Sequence, residues 1–403
     1  MARHLVFIIG TRAQLIKVAP VVVACEQRSL PCTLLMTGQH HETMQDLLEE
    51  FGVTSPRVSA VTSSEHATVR SLLRWLPAAY RGVGARLREL AGADGNLDVL
   101  VHGDTLSTVI GAVAGWRRGA RVVHLESGLT SGKLLDPFPE ELSRRIVFRM
   151  TRVAMCPSLE AAEYMRLHCP RAKVIDTGGN TILDAVTIVG DRDMRRTEDA
   201  PYLVVSLHRF QNVYDRKRLH SLIDLLEGVS EKYPLHFVLH PTTRKRLAKE
   251  ALLGRLESLP GVHLSPRLGY GAFLRLAAGA ACVLTDGGSN QEELAALGVP
   301  TIVMRKATER GDGLGANVIM EAEVPGNLVD YLRAGGFREL ERAHAVRPGA
   351  SPSERIADFL AREPRDVSQS RKLACETKRN PPSDGMNPTR HRYKLYAQHW
   401  MML

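Results

Sequence analysis

The sequence lacks the marks of a membrane protein, a secreted protein and a metalloprotein. No apolar run approaches the roughly 18 residues that a membrane-spanning helix needs. The amino terminus has no long apolar region and no small-residue cleavage site, so we interpret it as a buried first strand rather than a signal peptide. The six cysteines form no CxxC pair and no His/Cys metal spacing: Cys25, Cys32, Cys156, Cys169, Cys282 and Cys375. We therefore expect a cytoplasmic protein with reduced thiols, no bound metal and no membrane contact.

The sequence also lacks the patterns of dinucleotide and nucleic-acid binding. No GxGxxG is present, which argues against a dinucleotide cofactor. Lys and Arg outnumber Asp and Glu by 53 to 44, for a net charge of +9. From Arg365 to the end there are eight basic and three acidic residues, without a recognition motif or an aromatic-rich basic stripe. We therefore expect no nucleic-acid partner, and the mildly basic remainder suits an anionic small molecule.

The length and the apolar pattern predict two α/β domains. A chain of 403 residues exceeds one ordinary hydrophobic core. Short β-branched runs that end in Gly or polar turns alternate with longer amphipathic stretches, which is typical of βαβ units and a parallel sheet. We predict two Rossmann-like, doubly wound domains facing a central cleft, over 1–186 and 201–364. A polar linker over 187–200 joins them, and a basic, disordered tail over 365–403 follows.

The predicted elements place the candidate residues. Strands are expected at His4–Ile9, Cys32–Met36, Leu97–His102, Arg121–Leu125, Val153–Cys156, Lys173–Asp176, Tyr202–Leu207, His236–Leu239, Val262–Leu264, Cys282–Thr285 and Thr301–Met304. Helices are expected at Ala13–Gln27, Glu42–Phe51, Ser107–Arg118, Arg216–Tyr233 and Ser351–Arg362. Open α/β sheets bind ligands beyond the carboxyl ends of their strands, so the residues that follow strands are the candidates for a functional site.

Candidate acid/base residues follow strands of the first domain. Asp104 and Glu126 come directly after buried-looking strands, and Glu140 ends the loop that comes next. Carboxylates grouped in a cleft can divide the work of proton transfer, one tuned as an acid and another as a base. Glu140 and Glu141 also suit a helix start, where acidic side chains interact favourably with the helix dipole.

Candidate phosphate-binding groups lie in both domains. Arg12 and Lys17 stand near a helix start after the first strand, although taken alone they fit a plain turn with solvated basic side chains. The segment 285–293 is the strongest phosphate signal, since glycines before a helix let its N–H groups approach a diphosphate. Glu293, one turn into that helix, could hold a ribose. His208 follows the first strand of the second domain, where a lone histidine is more often structural than catalytic.

Eight motifs, in order, resemble those of the UDP-N-acetylglucosamine 2-epimerase family. The family's motifs are GTRPEAIK, TGQH, HGDT, HVEAG, PWPEE, GNT, AHRREN and TDSGGxQEE. The matching stretches are GTRAQLIK (10–17), TGQH (37–40), HGDT (102–105), HLESG (124–128), PFPEE (137–141), GNT (179–181), LHRFQN (207–212) and TDGGSNQEE (285–293). The resemblance covers roughly residues 5–310. It implies a GT-B fold, a homodimer, a UDP-amino sugar as ligand, no metal and no nicotinamide or other cofactor.

The resemblance also implies a reaction and residue roles. The C1–O bond to UDP breaks with loss of the C2 proton, and UDP adds back after protonation on the other face. By matching motif positions, the acid/base carboxylates and the functional histidine are Asp104, Glu126, Glu140 and His208. The groups that contact UDP or the sugar are Arg12, Lys17, Arg144, Gly288, Ser289 and Glu293.

Departures from the family pattern bear on the exact sugar. Gln14 replaces a carboxylate, Phe210 and Gln211 replace a charged pair, and Thr130 stands where an arginine is usual. The Gln14 variant and the pair His240-Pro241 resemble family members that act on modified UDP-HexNAc sugars. The departures concern the sugar more than the reaction class.

Three other functions remain open from the sequence. A hydrolysing 2-epimerase, releasing N-acetylmannosamine and UDP, differs little in its motifs. A GT-B glycosyltransferase shares the fold and the diphosphate site, but the ordered motifs from 102 to 141 argue against it. A nucleotide-sugar-binding protein without catalysis is opposed by the retained carboxylates and by His208.

Overall fold

The computed structural model describes residues 3–39, 44–61, 69–92, 95–132, 139–190, 201–306, 308, 311–340 and 350–362, apart from the side chains of 69–74. All of them lie in one compact unit that ends at Glu363. Within it are two parallel sheets, one formed by residues 3–190 and the other by residues 201–340. These two stretches are called the first half and the second half below.

The first half is built around a seven-stranded parallel sheet in the order β3-β2-β1-β4-β5-β6-β7. The strands are β1 His4–Ile9, β2 Cys32–Met36, β3 Arg57–Ser59, β4 Leu97–His102, β5 Arg121–Leu125, β6 Val153–Cys156 and β7 Lys173–Asp176. The helices are α1 Arg12–Gln27, α2 Gln45–Phe51, α3 Val69–Ala91, α4 Leu106–Arg117, α5 Glu140–Met150, α6 Leu159–His168 and α7 Ile182–Val189.

The second half is built around a six-stranded parallel sheet in the order β10-β9-β8-β11-β12-β13. The strands are β8 Leu203–Ser206, β9 Leu235–Leu239, β10 Val262–Pro266, β11 Cys282–Thr285, β12 Thr301–Val303 and β13 Val318–Met320. The helices are α8 Phe210–Val213, α9 Arg216–Ser230, α10 Pro241–Lys249, α11 Leu253–Glu257, α12 Tyr270–Gly279, α13 Gly288–Leu297 and α14 Leu328–Ala334. Helix α15, Pro352–Arg362, follows.

The strands read as apolar runs because helices cover both faces of each sheet. In β1, Leu5, Phe7 and Ile9 belong to one core cluster and Val6 and Ile8 to another, as the two-residue period of a strand requires. The strand order reverses between β1 and β4 in the first sheet and between β8 and β11 in the second. Ligands of open α/β sheets bind at such reversal points, beyond the carboxyl ends of the strands.

The predicted fold class is confirmed, and six predicted strands match β1, β2, β4, β5, β6 and β7 residue for residue. The match extends to β11 in the second half. Helix α3 and the short strands β3 and β13 carry no sequence prediction. The proposed linker over 187–200 begins inside α7, and 191–200, like the tail over 365–403, lies outside the described residues. The domain boundaries therefore remain predictions.

Helix α15 packs against the first half, although sequence order groups it with the second. Its apolar side chains Ile356 and Leu360 join the core cluster that contains α1. Arg28, at the end of α1, forms ion pairs with Glu354 and Asp358 of α15. The last described helix thus completes a core that begins at the amino terminus.

Two further properties bear on the sequence predictions. The five cysteines that the structure describes are free thiols. No helix within the described ranges is long and apolar enough to cross a membrane.

Candidate active site

Gln14 joins the loops that follow β1 and β4. Its Oε1 accepts a hydrogen bond from the Gly10 N–H at 2.9 Å, and its Nε2 donates to the His102 carbonyl at 2.8 Å and to Thr108 Oγ1 at 3.0 Å. An amide can accept and donate at once, whereas an ionised carboxylate only accepts. A glutamine therefore suits this position, which faces a carbonyl oxygen. The loop is also tight, because a Cβ on Gly10 would lie 1.9 Å from Ser107 Oγ.

Asp104, just after β4, pairs with Arg144 of α5. The distance from Arg144 Nη2 to Asp104 Oδ2 is 2.5 Å. Burial raises the pKa of Asp104, and the nearby carboxylates Glu126 and Glu140 raise it further, while Arg144 lowers it. Asp104 therefore lies close enough to Glu126 and Glu140 for their charges to act on it.

Glu126 follows β5 and has a left-handed backbone, with φ of 60°. This conformation is costly for a residue with a Cβ and is found where the surroundings impose it. Its Oε1 lies 2.6 Å from Lys17 Nζ and accepts a hydrogen bond from Asn180 Nδ2 at 2.5 Å. Its Oε2 lies 3.8 Å from His102 Nε2. One carboxylate oxygen is thus held by the ammonium and the amide, and the other faces the loop after β4.

His124, to which the sequence assigned no role, holds the two loops together. Its Nε2 lies 2.9 Å from the Gly103 carbonyl and its Nδ1 lies 3.0 Å from Ser127 Oγ. Because a carbonyl only accepts, Nε2 carries the proton and Nδ1 accepts from the hydroxyl. Burial lowers the pKa of His124 to about 4, so the ring is neutral at pH 7.

Glu140 and Glu141 occupy the first turn of α5, so the helix-start interpretation holds for both. Glu141 is fully buried, and its carboxylate accepts hydrogen bonds from Thr130 Oγ1 at 2.5 Å, the Ser131 N–H at 3.2 Å and Arg145 Nε at 3.1 Å. Burial would raise the pKa of Glu141, but these hydrogen bonds together lower it. Thr130 therefore supports the helix start.

His208 follows β8 and is anchored by Asp286, a buried residue after β11. Asp286 accepts hydrogen bonds from the backbone N–H groups of His208 at 3.0 Å and Arg209 at 2.9 Å, and from Asn212 Nδ2 at 2.8 Å. His208 Nδ1 lies 3.3 Å from Asp286 Oδ1. Burial lowers the pKa of His208, with Asp286 acting in the opposite direction. The ring is therefore neutral at pH 7, and it can donate a hydrogen bond from one nitrogen and accept one at the other.

A pocket of about 270 Å³ lies between the halves and collects five of the predicted residues. They are Arg12, Lys17, His208, Ser289 and Glu293. Gly288 begins α13 beside them. The pocket is also lined by residues that carried no assigned role, among them Ser206, His240, Arg267, Tyr270, Phe273 and Asn290. Both sheets therefore contribute to one candidate nucleotide site at the start of α13.

Arg12 also has a carboxylate partner at the edge of this pocket. Its Nη1 and Nη2 lie 2.6 Å and 2.5 Å from the two carboxylate oxygens of Asp46 on α2. This interaction lowers the pKa of Asp46. Arg12 thus lines the nucleotide pocket while it ties α1 to α2.

A second pocket, of about 520 Å³, adjoins the first. Arg144, Asn180 and Glu292 line it, and Ile182 lines both pockets. Glu292 Oε2 lies 2.9 Å from Lys17 Nζ, so Lys17 pairs with a carboxylate from each half. The motifs at 179–181 and 285–293 contain Asn180 and Glu292, but nothing local in the sequence indicates these contacts.

Comparison with known proteins gives one consistent result. The family model described as UDP-N-acetylglucosamine 2-epimerase matches residues 23–334. A Bacillus subtilis protein of that name is 29% identical over 77% of this chain and 81% of its own length. One from Salmonella borreze is 26% identical over 80% of this chain and 87% of its own length. The crystal structure of the Methanocaldococcus jannaschii UDP-GlcNAc 2-epimerase with UDP-GlcNAc and UDP matches with a TM-score of 0.70 and 25% identity, covering 89% of this chain and 99% of that one.

Proposed function

Because this chain belongs to the UDP-N-acetylglucosamine 2-epimerase family, we propose that it inverts C2 of a UDP-activated N-acetylhexosamine without releasing the sugar. The substrate is UDP-GlcNAc or a modified analogue, and the product has the manno configuration. The observation that carries the proposal is the shared pocket of Arg12, Lys17, His208, Ser289 and Glu293. The Methanocaldococcus jannaschii relative, which was crystallised with UDP-GlcNAc and UDP, supports a UDP-sugar ligand.

The proposed reaction is an elimination followed by a re-addition. A carboxylate takes the C2 proton, the C2–H electron pair forms the C1=C2 double bond, and the C1–O bond to UDP breaks. UDP then attacks C1 from the same pocket while a protonated carboxylic acid delivers a proton to the opposite face of C2. Two carboxyl groups in different protonation states are therefore needed.

The first half supplies these carboxyl groups in the proposal. Asp104, whose pKa is raised by burial, is suited to hold a proton at neutral pH more readily than an ordinary aspartate. Glu126, paired with Lys17, is suited to remain ionised. Glu140 completes the set beside Asp104. Because Arg144 pairs with Asp104 and lines the second pocket, we assign that pocket to the sugar.

The second half stabilises the departing UDP in the proposal. Helix α13 begins at Gly288 and Ser289 beside the pocket, and the free N–H groups of a helix start favour a diphosphate there. The carboxylate of Glu293 accepts hydrogen bonds from the ribose hydroxyls. His208, neutral and anchored by Asp286, donates a hydrogen bond to the leaving oxygen. As the resemblance implies, we also propose that the working unit is a homodimer, which light scattering would report as about twice the mass of the chain.

Proton NMR with UDP-GlcNAc in D2O tests the proposed function. The expected result is a new manno anomeric signal, deuterium at C2 and UDP still attached. Free N-acetylmannosamine and UDP would instead identify a hydrolysing 2-epimerase. If neither signal nor exchange appears with UDP-GlcNAc or with modified UDP-HexNAc sugars, the proposal is wrong. A sample of the Glu126→Gln variant is the control for uncatalysed exchange.

A further inference from the structure

One charged cluster crosses from the first half to the second, and it is called the Lys17 cluster here. It consists of Lys17 on α1, Glu126 after β5, Asn180 before α7 and Glu292 on α13. The side chains of Lys17, Glu126 and Glu292 are only 5%, 11% and 4% exposed. Lys17 thus lies between two carboxylates in a buried place, where charge interactions are strong.

The geometry of the cluster is fixed at Asn180. Its Oδ1 accepts a hydrogen bond from the Ile182 N–H at 3.2 Å, so the amide nitrogen must face the carboxylates. That nitrogen donates to Glu126 Oε1 at 2.5 Å and lies 3.3 Å from Glu292 Oε1. The amide therefore holds the two carboxylates beside each other and beside Lys17.

Consecutive glutamates on α13 face different pockets. Glu293 lines the nucleotide pocket together with Lys17, whereas Glu292 lines the second pocket together with Asn180. Lys17, which lines the nucleotide pocket, is thus paired with a glutamate that lines the second pocket. A diphosphate in the nucleotide pocket would compete with Glu292 for the same ammonium.

We propose that Glu292 is a positioning residue, which shares Lys17 between the bound diphosphate and the acid/base residue Glu126. This inference rests on the proposed function and adds a specific role to it. When UDP leaves C1, its new negative charge attracts the ammonium of Lys17. The negative charge of Glu292 limits how far that ammonium moves away from Glu126. Glu292 thereby weakens UDP binding while it keeps Lys17 beside Glu126.

The Glu292→Gln variant separates this role from a merely structural one. Removal of a competing negative charge beside Lys17 should tighten UDP binding by about 3- to 10-fold in calorimetry. The kcat for C2 inversion should fall by about 10-fold or more, because Lys17 moves toward the diphosphate. The acid limb of the kcat/KM profile should move to lower pH by up to ~1 unit, because Glu126 loses a like-charged neighbour. A structural defect would weaken binding and catalysis together.

Two further variants complete the test. Glu292→Asp keeps the charge and should retain the wild-type acid limb. Glu257→Gln, which removes an exposed carboxylate of α11 paired with Arg244 at 3.9 Å, should change neither binding nor rate. The inference is overturned if Glu292→Gln binds UDP as the wild type does or more weakly. Calorimetry needs no turnover, so an inactive wild type would overturn the proposed function while the binding comparison still decides whether Glu292 competes for Lys17.

Discussion

Asp104 and Glu126 in the first half and Asp286 in the second half are held in place by different means. In the first half, Asp104 and Glu126 each face a cationic side chain, Arg144 and Lys17. In the second half, Asp286 is held by two backbone N–H groups and an amide. Cation pairs shift when a charged ligand arrives, whereas backbone donors stay in place. In the proposed reaction, the first half therefore supplies the groups that change protonation state, and the second half holds the anion and a neutral histidine in place.

Of the variants considered, Glu126→Gln, in the first half, should have the largest effect on the rate of C2 inversion. We expect a loss of about 10³-fold in kcat, the middle of the range for a general acid or base. UDP binding should change only a few-fold, since Glu126 does not line the nucleotide pocket. NMR exchange rates and UDP calorimetry measure the two effects. Glu163→Gln on α6 is a matched control, and a variant at position 126 that keeps a tenth of the activity would remove Glu126 from the acid/base set.

The Asp286→Asn variant tests the second half of the site and should lower the stability of the fold. In the wild type, the N–H groups of His208 and Arg209 donate to the two carboxylate oxygens of Asp286. An asparagine replaces one of these oxygens with an NH2 group, so one buried N–H group loses its acceptor. We expect the free energy of unfolding to fall by about 2–4 kcal/mol, as for a buried charged hydrogen-bonded group. Urea denaturation measures it. An unchanged midpoint would mean that the second half does not depend on this anchor.

Arg144→Met tests whether Asp104 is set by a neighbouring charge. The pKa of Asp104 is already raised by burial, and Arg144 opposes that rise. Without the guanidinium the pKa should rise further. Because Asp104 is the protonated acid of the proposal, the alkaline limb of kcat/KM should move to higher pH by about 1 unit. The pH profile is compared with that of Arg144→Lys, which keeps a positive charge. A limb that stays in place in Arg144→Met would show that another group sets it.

Asp46→Asn should have the smallest effect. Arg12 lowers the pKa of Asp46 below its ordinary 3.8, so the pair stabilises the fold above that pH and loses its contribution as the pH falls. The Asp46 side chain is 50% exposed, and solvent screening limits the contribution to a few tenths of a kcal/mol. Thermal unfolding at pH 7 should shift by less than about 1 °C. A shift of several degrees would make the Arg12–Asp46 pair a structural anchor rather than a surface contact.

The strands were predictable because a strand buried on both faces reads as a short apolar run. Most bounds are correct to the residue for that reason, as at Leu97–His102 and Cys282–Thr285. Helix α3 was missed because Pro77, Gly82 and Gly84 interrupt its pattern, although it runs from Val69 to Ala91. Strand β13 was missed because three residues are too few to form a pattern.

The site was predictable only where the residues follow strands. The five residues that share the nucleotide pocket come from motif positions, and the parallel sheets bring their loops to one edge. The contact of Lys17 with Glu292 was not predictable in this way, because it depends on how α1 and α13 face each other. The same holds for the stack of Phe51 on Tyr270, whose ring centroids lie 5.8 Å apart.

The return of α15 to α1 has a consequence for how the chain is made. Helix α1 is synthesised more than 300 residues before Ile356 and Leu360, the α15 residues that complete its core. The apolar surface of α1 that α15 covers therefore stays exposed until the second half has been synthesised. A fragment that ends near residue 190 would lack this cover. A circular permutant that joins residues 352–362 ahead of β1 would give the first half its missing helix before the second half is synthesised rather than after it.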